Sequence, residues 1–169
     1  LRALGVEVTV HRCDVADRAS LKALLEQITA TRPLRGVVHA AGVLDDALIA
    51  DQSLRRLDTV ARAKVLGAWN LHTLTEGMDL DLFVLYSSAA VVLGSPGQGN
   101  YVAANAALDA LAERRQRLGL PGLALGWGAF GDAGLAAATA AQLAARGLRL
   151  LTRADVAPWM ERLLESAAP

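Results

Sequence analysis

Apolar runs of strand length alternate along the chain with longer segments in which apolar residues recur at helical spacing. The runs with the composition of buried strands lie at 6–10, 36–40, 82–86 and 123–127. Each connection between successive runs is ten residues or longer, which is enough for a crossover helix. The order therefore predicts a parallel sheet in an α/β layer architecture.

The segments between the runs carry the start and stop signals of helices. Asp17 is placed as an N-cap, and the positions behind it that are predicted to face the core are Leu21, Leu24, Leu25 and Ile28. A second helical pattern extends over about 53–74 with Lys64 near its middle. A third extends over about 100–118 and stops at Gly119.

Two further helices are predicted after the fourth run. The segment 135–146 is rich in alanine, which has the highest helix propensity. Thr152 and Asp155 form a capping pair for a last helix. The predicted apolar face of that helix consists of Val156, Trp159, Met160, Leu163 and Leu164.

The composition is that of a folded protein without an electrostatic preference for polyanions. The 169 residues are 53% hydrophobic, and 17 basic residues balance 17 acidic ones. These values exclude a disordered chain and give no basic footprint for nucleic acid or for an anionic membrane surface. No apolar stretch approaches the roughly 20 residues of a membrane span, and the first residues have no signal-peptide pattern, so we expect a cytoplasmic protein.

Cysteine and histidine are too sparse and too scattered for a metal centre. The single cysteine, Cys13, excludes an internal disulfide and a cysteine-based metal cluster. The three histidines, His11, His39 and His72, lie in separate predicted elements without the spacing of metal ligands. We therefore predict no metal.

The most informative stretch surrounds the third strand and the helix that follows it. Ser87 and Ser88 come at the carboxyl end of the strand, and Tyr101 and Asn105 are four residues apart on one face of the helix. Open parallel sheets bind their ligands at the carboxyl ends of the strands. A serine hydroxyl, a phenol and a carboxamide can therefore converge on one small volume.

This constellation resembles the ketoreductase domain of modular type I polyketide synthases, a branch of the short-chain dehydrogenase/reductase superfamily. It consists of Ser88, Tyr101 and Asn105, with Lys64 upstream. Ordinary members of the superfamily carry Tyr-x-x-x-Lys, whereas this chain has Tyr-x-x-x-Asn and its lysine at position 64, an exchange that is the hallmark of the synthase branch. The resemblance covers essentially all 169 residues and implies a Rossmann-like, doubly wound parallel sheet.

The implied activity is the NADPH-dependent reduction of a β-ketoacyl thioester on an acyl carrier protein, within a synthase that supplies neighbouring domains. Ketone reduction creates an alkoxide that must be protonated, and Tyr101 is the candidate acid. The Lys64 ammonium would stabilise the phenolate and, in the family, also contacts the nicotinamide ribose. Ser88 would polarise the carbonyl. Asn105 would hold a water or backbone group that passes the proton onward.

The same resemblance assigns further cofactor contacts by position. In addition to Lys64 and Tyr101 they are Asp14 and Val15 beside the adenine ring, Ala40, Ala41 and Gly42 at the ribose, and Gly128 and Ala129 at the nicotinamide. Asp14 could equally cap the nearby helix. The alanine-rich segment matches the lid that covers the substrate in the family.

A further set of positions is implicated in stereocontrol: Leu44, Asp45, Asp46, Leu93 and Gln98. The first three match the Leu-Asp-Asp motif of B-type ketoreductases, and Leu93 lies where A-type members carry tryptophan, so the resemblance implies a D-configured β-hydroxyl. Ala103 lies where the epimerising B subtype carries proline, and we predict no change at the α-carbon. Alternatively, the two aspartates are helix-start acids favoured by the macrodipole.

The glycine-rich Gly-x-Gly-x-x-Gly turn of dinucleotide-binding sheets does not occur in these residues. We therefore expect residues 1–169 to be the later portion of a catalytic domain, with the N-terminal glycine-rich strand–helix unit as its partner. Two alternatives stay open: a reductase-like scaffolding domain without activity, and a free-standing short-chain dehydrogenase. The intact set of Lys64, Ser88, Tyr101 and Asn105 argues against the first, and the Lys/Asn exchange argues against the second.

Overall fold

Three parallel strands form the central sheet of the protein. The computed structural model describes residues 2–131, 144, 145 and 147–166. The strands are β1 (Gly36–His39), β2 (Leu82–Ser88) and β3 (Leu123–Trp127), in the spatial order β1-β2-β3. Both strand pairs are parallel, so the predicted parallel sheet is confirmed for these three strands.

The strands are preceded, connected and followed by helices. They are α1 (Arg18–Thr29), α2 (Leu54–Ala61), a π-helical turn (Arg62–Leu66), α3 (Gly67–Thr75), α4 (Ala90–Leu93), α5 (Gly99–Arg117) and α6 (Arg153–Ser166), with short 3₁₀ turns at Arg2–Leu4 and Ile49–Asp51.

Polar side chains and a glycine mark the helix ends, and those at Asp17 and Gly119 were predicted. The Asp17 carboxylate accepts hydrogen bonds from the Ala19 and Ser20 N–H groups at 3.0 and 3.2 Å, and thereby starts α1. The Ser53 hydroxyl caps α2 in the same way. Behind α5, Gly119 adopts a φ of 71°, a left-handed conformation that glycine takes with least strain.

One face of the sheet carries the hydrophobic core. In β1, Val37 and His39 are buried, whereas Val38 between them points to the opposite face and is 54% exposed. Helices α1, α3 and α5 supply the other side of this core, whose members include Leu21, Leu25, Ala68, Leu71, Phe83, Leu85, Leu108 and Leu111. Burial of each large apolar side chain contributes about 1.5–3 kcal/mol, which fixes the crossover helices against the sheet.

The predicted first strand pairs with no other strand among the described residues. Residues 6–10 are unpaired with any strand that the structure describes, and Val10 is 85% exposed. An extended segment becomes a strand only when a neighbour exchanges backbone hydrogen bonds with it, and none of β1, β2 and β3 does so. A β-branched composition therefore does not by itself establish a paired strand.

The last described part of the chain packs behind β3. Phe130 forms a parallel bridge with Leu151, and the Asp155 carboxylate accepts a hydrogen bond from the Thr152 N–H at 2.9 Å, which confirms the predicted capping pair. Trp159 is 56% exposed and therefore does not belong to a buried face of α6. Apart from residues 144 and 145, the predicted helix 135–146 lies outside the described residues, as do the side chains of Leu163 and Leu164.

Within the described ranges, no helix has both the length and the apolar character that crossing a membrane requires.

Candidate active site

The carboxyl ends of the three strands meet at one edge of the sheet. Ser88 ends β2 and pairs with Trp127, the last residue of β3, while the turn at 40–42 follows β1. The Ala89 N–H donates to the Trp127 carbonyl oxygen at 2.9 Å, which holds the chain behind β2 against β3. Parallel α/β sheets bind their ligands at this edge.

Lys64 is buried next to Tyr101. Only 4% of Lys64 is exposed, and its Nζ donates to the Tyr86 carbonyl oxygen at 2.9 Å. The same Nζ lies 5.4 Å from the centroid of the Tyr101 ring. Burial lowers the pKa of Lys64 to about 8, an effect that the negative charge of Asp109 partly opposes. The structure thus brings together the ammonium and the phenol that the sequence singled out.

A π-helical turn presents Lys64 to the site. His39 Nε2 lies 3.0 Å from the Lys64 carbonyl oxygen, and because a carbonyl oxygen can only accept, His39 carries its proton on Nε2. Burial lowers the pKa of His39, which favours this neutral form. At Gly67, the residue after the turn, a Cβ atom would lie 2.6 Å from Val15 Cγ2 and 3.2 Å from His39 Cε1. A glycine here therefore lets the helix approach β1 closely.

Tyr101 and Asn105 lie one turn apart in α5. The Asn105 Nδ2 donates to the Tyr101 carbonyl oxygen at 2.8 Å, which fixes the orientation of the carboxamide. Asn105 is fully buried, and its Oδ1 has no hydrogen-bond partner among the described residues. A buried polar atom left unpaired costs about 1–3 kcal/mol, so this oxygen is an available acceptor for a water or a ligand.

The two serines at the end of β2 differ in what their hydroxyls can do. The buried Ser87 donates to the Asn105 carbonyl oxygen at 3.4 Å and is thereby used inside the fold. The Ser88 oxygen instead accepts from the Ala90 N–H at 3.2 Å. A hydroxyl that accepts keeps its own proton, so Ser88 can donate to a substrate oxygen.

The segment 44–46 is tied to the start of α5 and to α2. The Asp46 carboxylate accepts from Gln98 Nε2 at 2.9 Å, and the Asp45 carboxylate forms an ion pair with Arg56. The Ala47 N–H donates to the Gly97 carbonyl oxygen at 2.8 Å. Neither aspartate lies in the first turn of a described helix, so the interpretation as helix-start acids was wrong. Leu93, at the end of α4, is 69% exposed.

Asn100 was missed by the sequence reasoning. It lies in the first turn of α5 beside Tyr101, is 3% exposed, and hydrogen-bonds the segment 44–46, α2 and the Tyr101 N–H. The signal in the sequence was an asparagine, a residue of poor helix propensity, near the predicted start of a helix. Such an asparagine is equally typical of a helix cap, so it did not indicate a place in the site. The partners of its side chain depend on the path of the loop and could not be read from spacing.

The segment predicted to lie beside the adenine ring packs on α3. Asn70 Nδ2 donates to the carbonyl oxygens of Val15 and Ala16 at 3.0 and 3.2 Å. The Asp14 carboxylate accepts from the Ala16 N–H at 2.9 Å within its own turn. Since Asp17 caps α1, the alternative assignment of Asp14 as the cap was wrong.

The small residues assigned to the ribose and the nicotinamide lie at the same edge. Ala40 is exposed, and Ala41 and Gly42 are half-buried at the end of β1. Gly128 and Ala129 directly follow β3, and the Ala129 carbonyl oxygen accepts from the Leu151 N–H at 2.8 Å. Small side chains at both turns leave room for a ligand to approach the backbone.

These residues fit the nicotinamide-ribose end of a dinucleotide. Lys64 has three donors and one hydrogen bond to the described protein, and Asn105 Oδ1 and Trp127 Nε1 are buried without partners there. A hydroxyl-rich ribose and a carboxamide are groups that such donors and acceptors bind. The pyrophosphate end would need the glycine-rich turn, which these residues do not contain. In the described part of the chain, no group of three or more His, Cys, Asp and Glu could hold a metal ion.

Comparisons with known proteins identify the family. A family model described as the KR domain matches residues 1–132. The phenolphthiocerol synthesis polyketide synthase type I Pks15/1 of Mycobacterium marinum is 50% identical over 159 residues, which are 94% of this chain and 7% of that synthase. A second synthase, named "Putative inactive phenolphthiocerol synthesis polyketide synthase type I Pks1", comes from Mycobacterium tuberculosis. It is also 50% identical over 159 residues, which are 94% of this chain and 10% of that synthase.

A solved structure of an A-type ketoreductase from a modular polyketide synthase is similar over 98% of this chain, with a TM-score of 0.93 and 44% identity. The chain spans 36% of that protein and a far smaller part of the synthases. The chain belongs to the KR domain family, the ketoreductase domains of polyketide synthases. The structural likeness confirms the predicted Rossmann-like α/β class.

Proposed function

We propose that this chain contributes the catalytic edge of an NADPH-dependent ketoreductase, which reduces a β-ketoacyl thioester on an acyl carrier protein to the β-hydroxyacyl thioester. The observation that carries the proposal is the buried Lys64 ammonium 5.4 Å from the Tyr101 ring centroid, at the carboxyl edge of a parallel sheet. Membership of the KR domain family supports the reaction class.

The Tyr101 phenol protonates the substrate oxygen as the carbonyl becomes an alcohol. When bound, the dihydronicotinamide supplies the hydride. The Lys64 ammonium stabilises the phenolate that Tyr101 becomes after giving up its proton, and burial strengthens this attraction because it removes the screening by water. The hydrogen bond to the Tyr86 carbonyl holds the ammonium in place.

Ser88 and Asn105 complete the proton path and the polarisation of the carbonyl. Ser88 donates a second hydrogen bond to the substrate oxygen, where negative charge develops. The unpaired Oδ1 of Asn105 holds a water that returns a proton to Tyr101. This role requires the fixed carboxamide orientation that the bond to the Tyr101 carbonyl supplies.

The cofactor is proposed to be NADPH, whereas the family as such implies a nicotinamide dinucleotide. The nicotinamide end is assigned to Lys64, Tyr101, Gly128 and Ala129, the ribose to Ala40, Ala41 and Gly42, and the adenine to Asp14 and Val15. The preference for NADPH rests on the family resemblance, and turnover with NADPH and with NADH at equal concentrations tests it.

The product is proposed to carry the D-configured β-hydroxyl of a B-type ketoreductase. Segment 44–46 with its Leu-Asp-Asp sequence and the bond from Gln98 to Asp46 support this proposal, as does Leu93 where A-type members have tryptophan. The similarity to an A-type structure concerns the fold that both types share. Ala103 supports reduction without a change at the α-carbon.

The partners are proposed from the architecture of the relatives, which are polyketide synthases many times longer than this chain. An acyl carrier protein would deliver the substrate, and neighbouring synthase domains would supply and consume it. The ketoreductase domain is proposed to extend over residues 1–169, and thus to include residues 133–169 beyond the family match.

Tyr101→Phe tests the proposed acid. The natural polypeptide that carries the chain is assayed for NADPH oxidation with a β-ketoacyl thioester, and chiral chromatography gives the product configuration. Loss of the phenolic proton should lower kcat at least about a hundredfold. The matched variant Tyr86→Phe removes the other phenol but keeps the carbonyl that Lys64 bonds, and it should lose less than about tenfold.

Full activity of Tyr101→Phe would remove Tyr101 from the role of acid. A folded wild-type protein that binds NADPH but reduces no thioester would favour the scaffolding function instead. Faster turnover of a free alcohol than of a carrier-bound thioester would favour a free-standing dehydrogenase.

A further inference from the structure

The Asn100 carboxamide connects three segments of the candidate active site. Its Nδ2 donates to the Asp45 carbonyl oxygen at 2.8 Å and to the Arg56 carbonyl oxygen at 3.4 Å. Its Oδ1 accepts from the Tyr101 N–H at 2.9 Å. One side chain therefore joins segment 44–46, helix α2 and the first turn of α5 at the residue that carries the phenol.

This carboxamide is enclosed by the fold. Asn100 is 3% exposed, so water does not replace a lost hydrogen bond, and each group left without its partner weakens the junction. The surrounding contacts tie together the same segments: Gln98 bonds Asp46, Ala47 bonds Gly97, and Arg56 forms the ion pair with Asp45. Asn100 is the member of this set that also contacts the backbone of Tyr101.

We propose that Asn100 is a positioning residue that holds segment 44–46 in a fixed place relative to Tyr101 and thereby sets which face of the substrate carbonyl meets the hydride. Asn100 touches neither substrate nor cofactor in this role. It acts through the Asp45 and Arg56 carbonyl groups on one side and through the first turn of α5 on the other. The consequence for the product rests on the proposed function, whereas the junction itself does not.

Asn100→Asp separates the junction from the start of the helix. The aspartate keeps an oxygen that can accept from the Tyr101 N–H, and a carboxylate in the first turn of a helix is favourable. It loses both donors to the Asp45 and Arg56 carbonyl oxygens. Asn100→Ser, which is uncharged and too short to span the junction, repeats the test without the added charge.

Asn70→Asp is the matched control. Asn70 is also a 3% exposed asparagine on a helix, and its Nδ2 likewise donates to two backbone carbonyl oxygens, those of Val15 and Ala16. It lies on the side assigned to the adenine ring, away from Tyr101. This variant should lower stability and weaken cofactor binding, but it should leave the configuration of the product unchanged.

The first measurement is hydrogen–deuterium exchange of the Ala47 amide in the natural polypeptide, which reports on the junction whether or not the protein reduces a thioester. We expect exchange faster by on the order of tenfold in both Asn100 variants and unchanged exchange in Asn70→Asp. Equal protection in all variants would overturn the proposal.

The second measurement is product configuration with kcat and KM. The Asn100 variants should lower kcat by on the order of tenfold and raise the share of the minor stereoisomer by a similar factor, while the Kd for NADPH stays within about twofold. Wild-type configuration in variants whose Ala47 amide has lost protection would show that the junction does not control the carbonyl face, and would also overturn the proposal. An inactive wild type would refute the proposed function, and the exchange measurement would then decide on the junction alone.

Discussion

At the scale of single residues, Lys64 shows a conflict between the stability of the fold and the chemistry of the site. The sequence predicted that Lys64 and Tyr101 would meet, because the spacing of the family's residues implies it. It did not predict the burial of the ammonium, which follows from the packing of the π-helical turn against α5 and from the bond to the Tyr86 carbonyl in β2. Burial lowers the pKa of Lys64 from 10.5 to about 8, so the native state holds the charged form less well than the unfolded chain does.

Lys64→Met should therefore stabilise the protein while it lowers ketoreductase activity. Methionine fills a similar volume without a charge, and we expect the free energy of unfolding at pH 7 to rise by on the order of 1–3 kcal/mol. Urea denaturation measures this change. Lys22→Met is the control, because Lys22 is exposed in a surface pair with Glu26 and its removal should change stability by less than about 0.5 kcal/mol.

The increase in unfolding free energy that Lys64→Met causes should become smaller as the pH rises from about 8 to 10.5. In that window the native state has released the Lys64 proton and the unfolded chain still binds it, so the wild type becomes more stable as the pH rises. A Lys64→Met protein less stable than the wild type at pH 7 would mean that the bond to the Tyr86 carbonyl outweighs the cost of desolvation.

At the scale of elements, the predicted helix over 53–74 was right in extent and incomplete in form. Its periodicity gave a start near Ser53 and the position of Lys64, but the π-helical turn at Arg62–Leu66 has no local sequence signal. The turn depends on contacts from other elements, namely the bond from His39 to the Lys64 carbonyl and the close packing at Gly67. Residues 6–10 illustrate the same limit, since a strand requires a partner that its own sequence does not specify.

Gly67→Ala should destabilise this junction, although alanine is the better helix former. Alanine would gain about 1 kcal/mol in helix propensity, but its Cβ would lie 2.6 Å from Val15 Cγ2, and such overpacking costs about 1–3 kcal/mol. The expected net effect is a lower unfolding temperature together with weaker NADPH binding, because the displaced segment includes Val15, the proposed neighbour of the adenine ring.

Gly77→Ala serves as the comparison for Gly67→Ala. No atom lies within 4 Å of the position that a Cβ would take at Gly77, so this variant should be neutral within about 0.5 kcal/mol. Thermal unfolding and NADPH fluorescence titration compare the two. If Gly67→Ala raised the unfolding temperature, helix propensity would outweigh the contact with Val15.

At the scale of the whole molecule, a buried arginine joins the layers at the end of the sheet opposite the candidate active site. Arg115 in α5 is 1% exposed, and its Nε donates to the Pro121 carbonyl oxygen at 2.6 Å. Its NH1 lies 3.0 Å from His72 Nδ1 on α3, and its guanidinium carbon lies 3.8 Å from the centroid of the Phe83 ring in β2. The apolar pattern predicted that these elements would pack together, but a polar contact at their centre follows only from the three-dimensional arrangement.

This contact fixes the protonation state of His72. An arginine can only donate, so His72 Nδ1 must accept, and the native imidazole is neutral with its proton on Nε2. Burial lowers the pKa of His72, and the positive charges of Arg115 and Arg114 lower it further, against an opposing contribution from Glu76. The unfolded chain binds the proton near pH 6.5 and the native state binds it only at lower pH. Stability is therefore lost as the pH falls below about 6.5.

His72→Asn should remove this part of the acid sensitivity. The asparagine Oδ1 can accept from Arg115 in place of Nδ1 but does not titrate, so the slope of unfolding free energy against pH between about 5 and 6.5 should decrease by up to about 1.4 kcal/mol per pH unit. Some slope should remain, because burial also lowers the pKa of His39. His11→Asn, at an exposed position outside this contact, is the control for the loss of a histidine.

His72→Leu tests the hydrogen bond from Arg115 to His72 itself. It removes both the titration and the acceptor, so the buried Arg115 N–H loses its partner, and the free energy of unfolding at pH 7.5 should fall by about 1–3 kcal/mol. Urea denaturation between about pH 5 and 7.5 compares His72→Asn, His72→Leu and His11→Asn with the wild type. A His72→Asn protein with the wild-type slope would show that native His72 binds its proton as readily as the unfolded chain does, which is incompatible with an Nδ1 that accepts from Arg115. The bond between α3 and α5 would then have to run through another pair of groups.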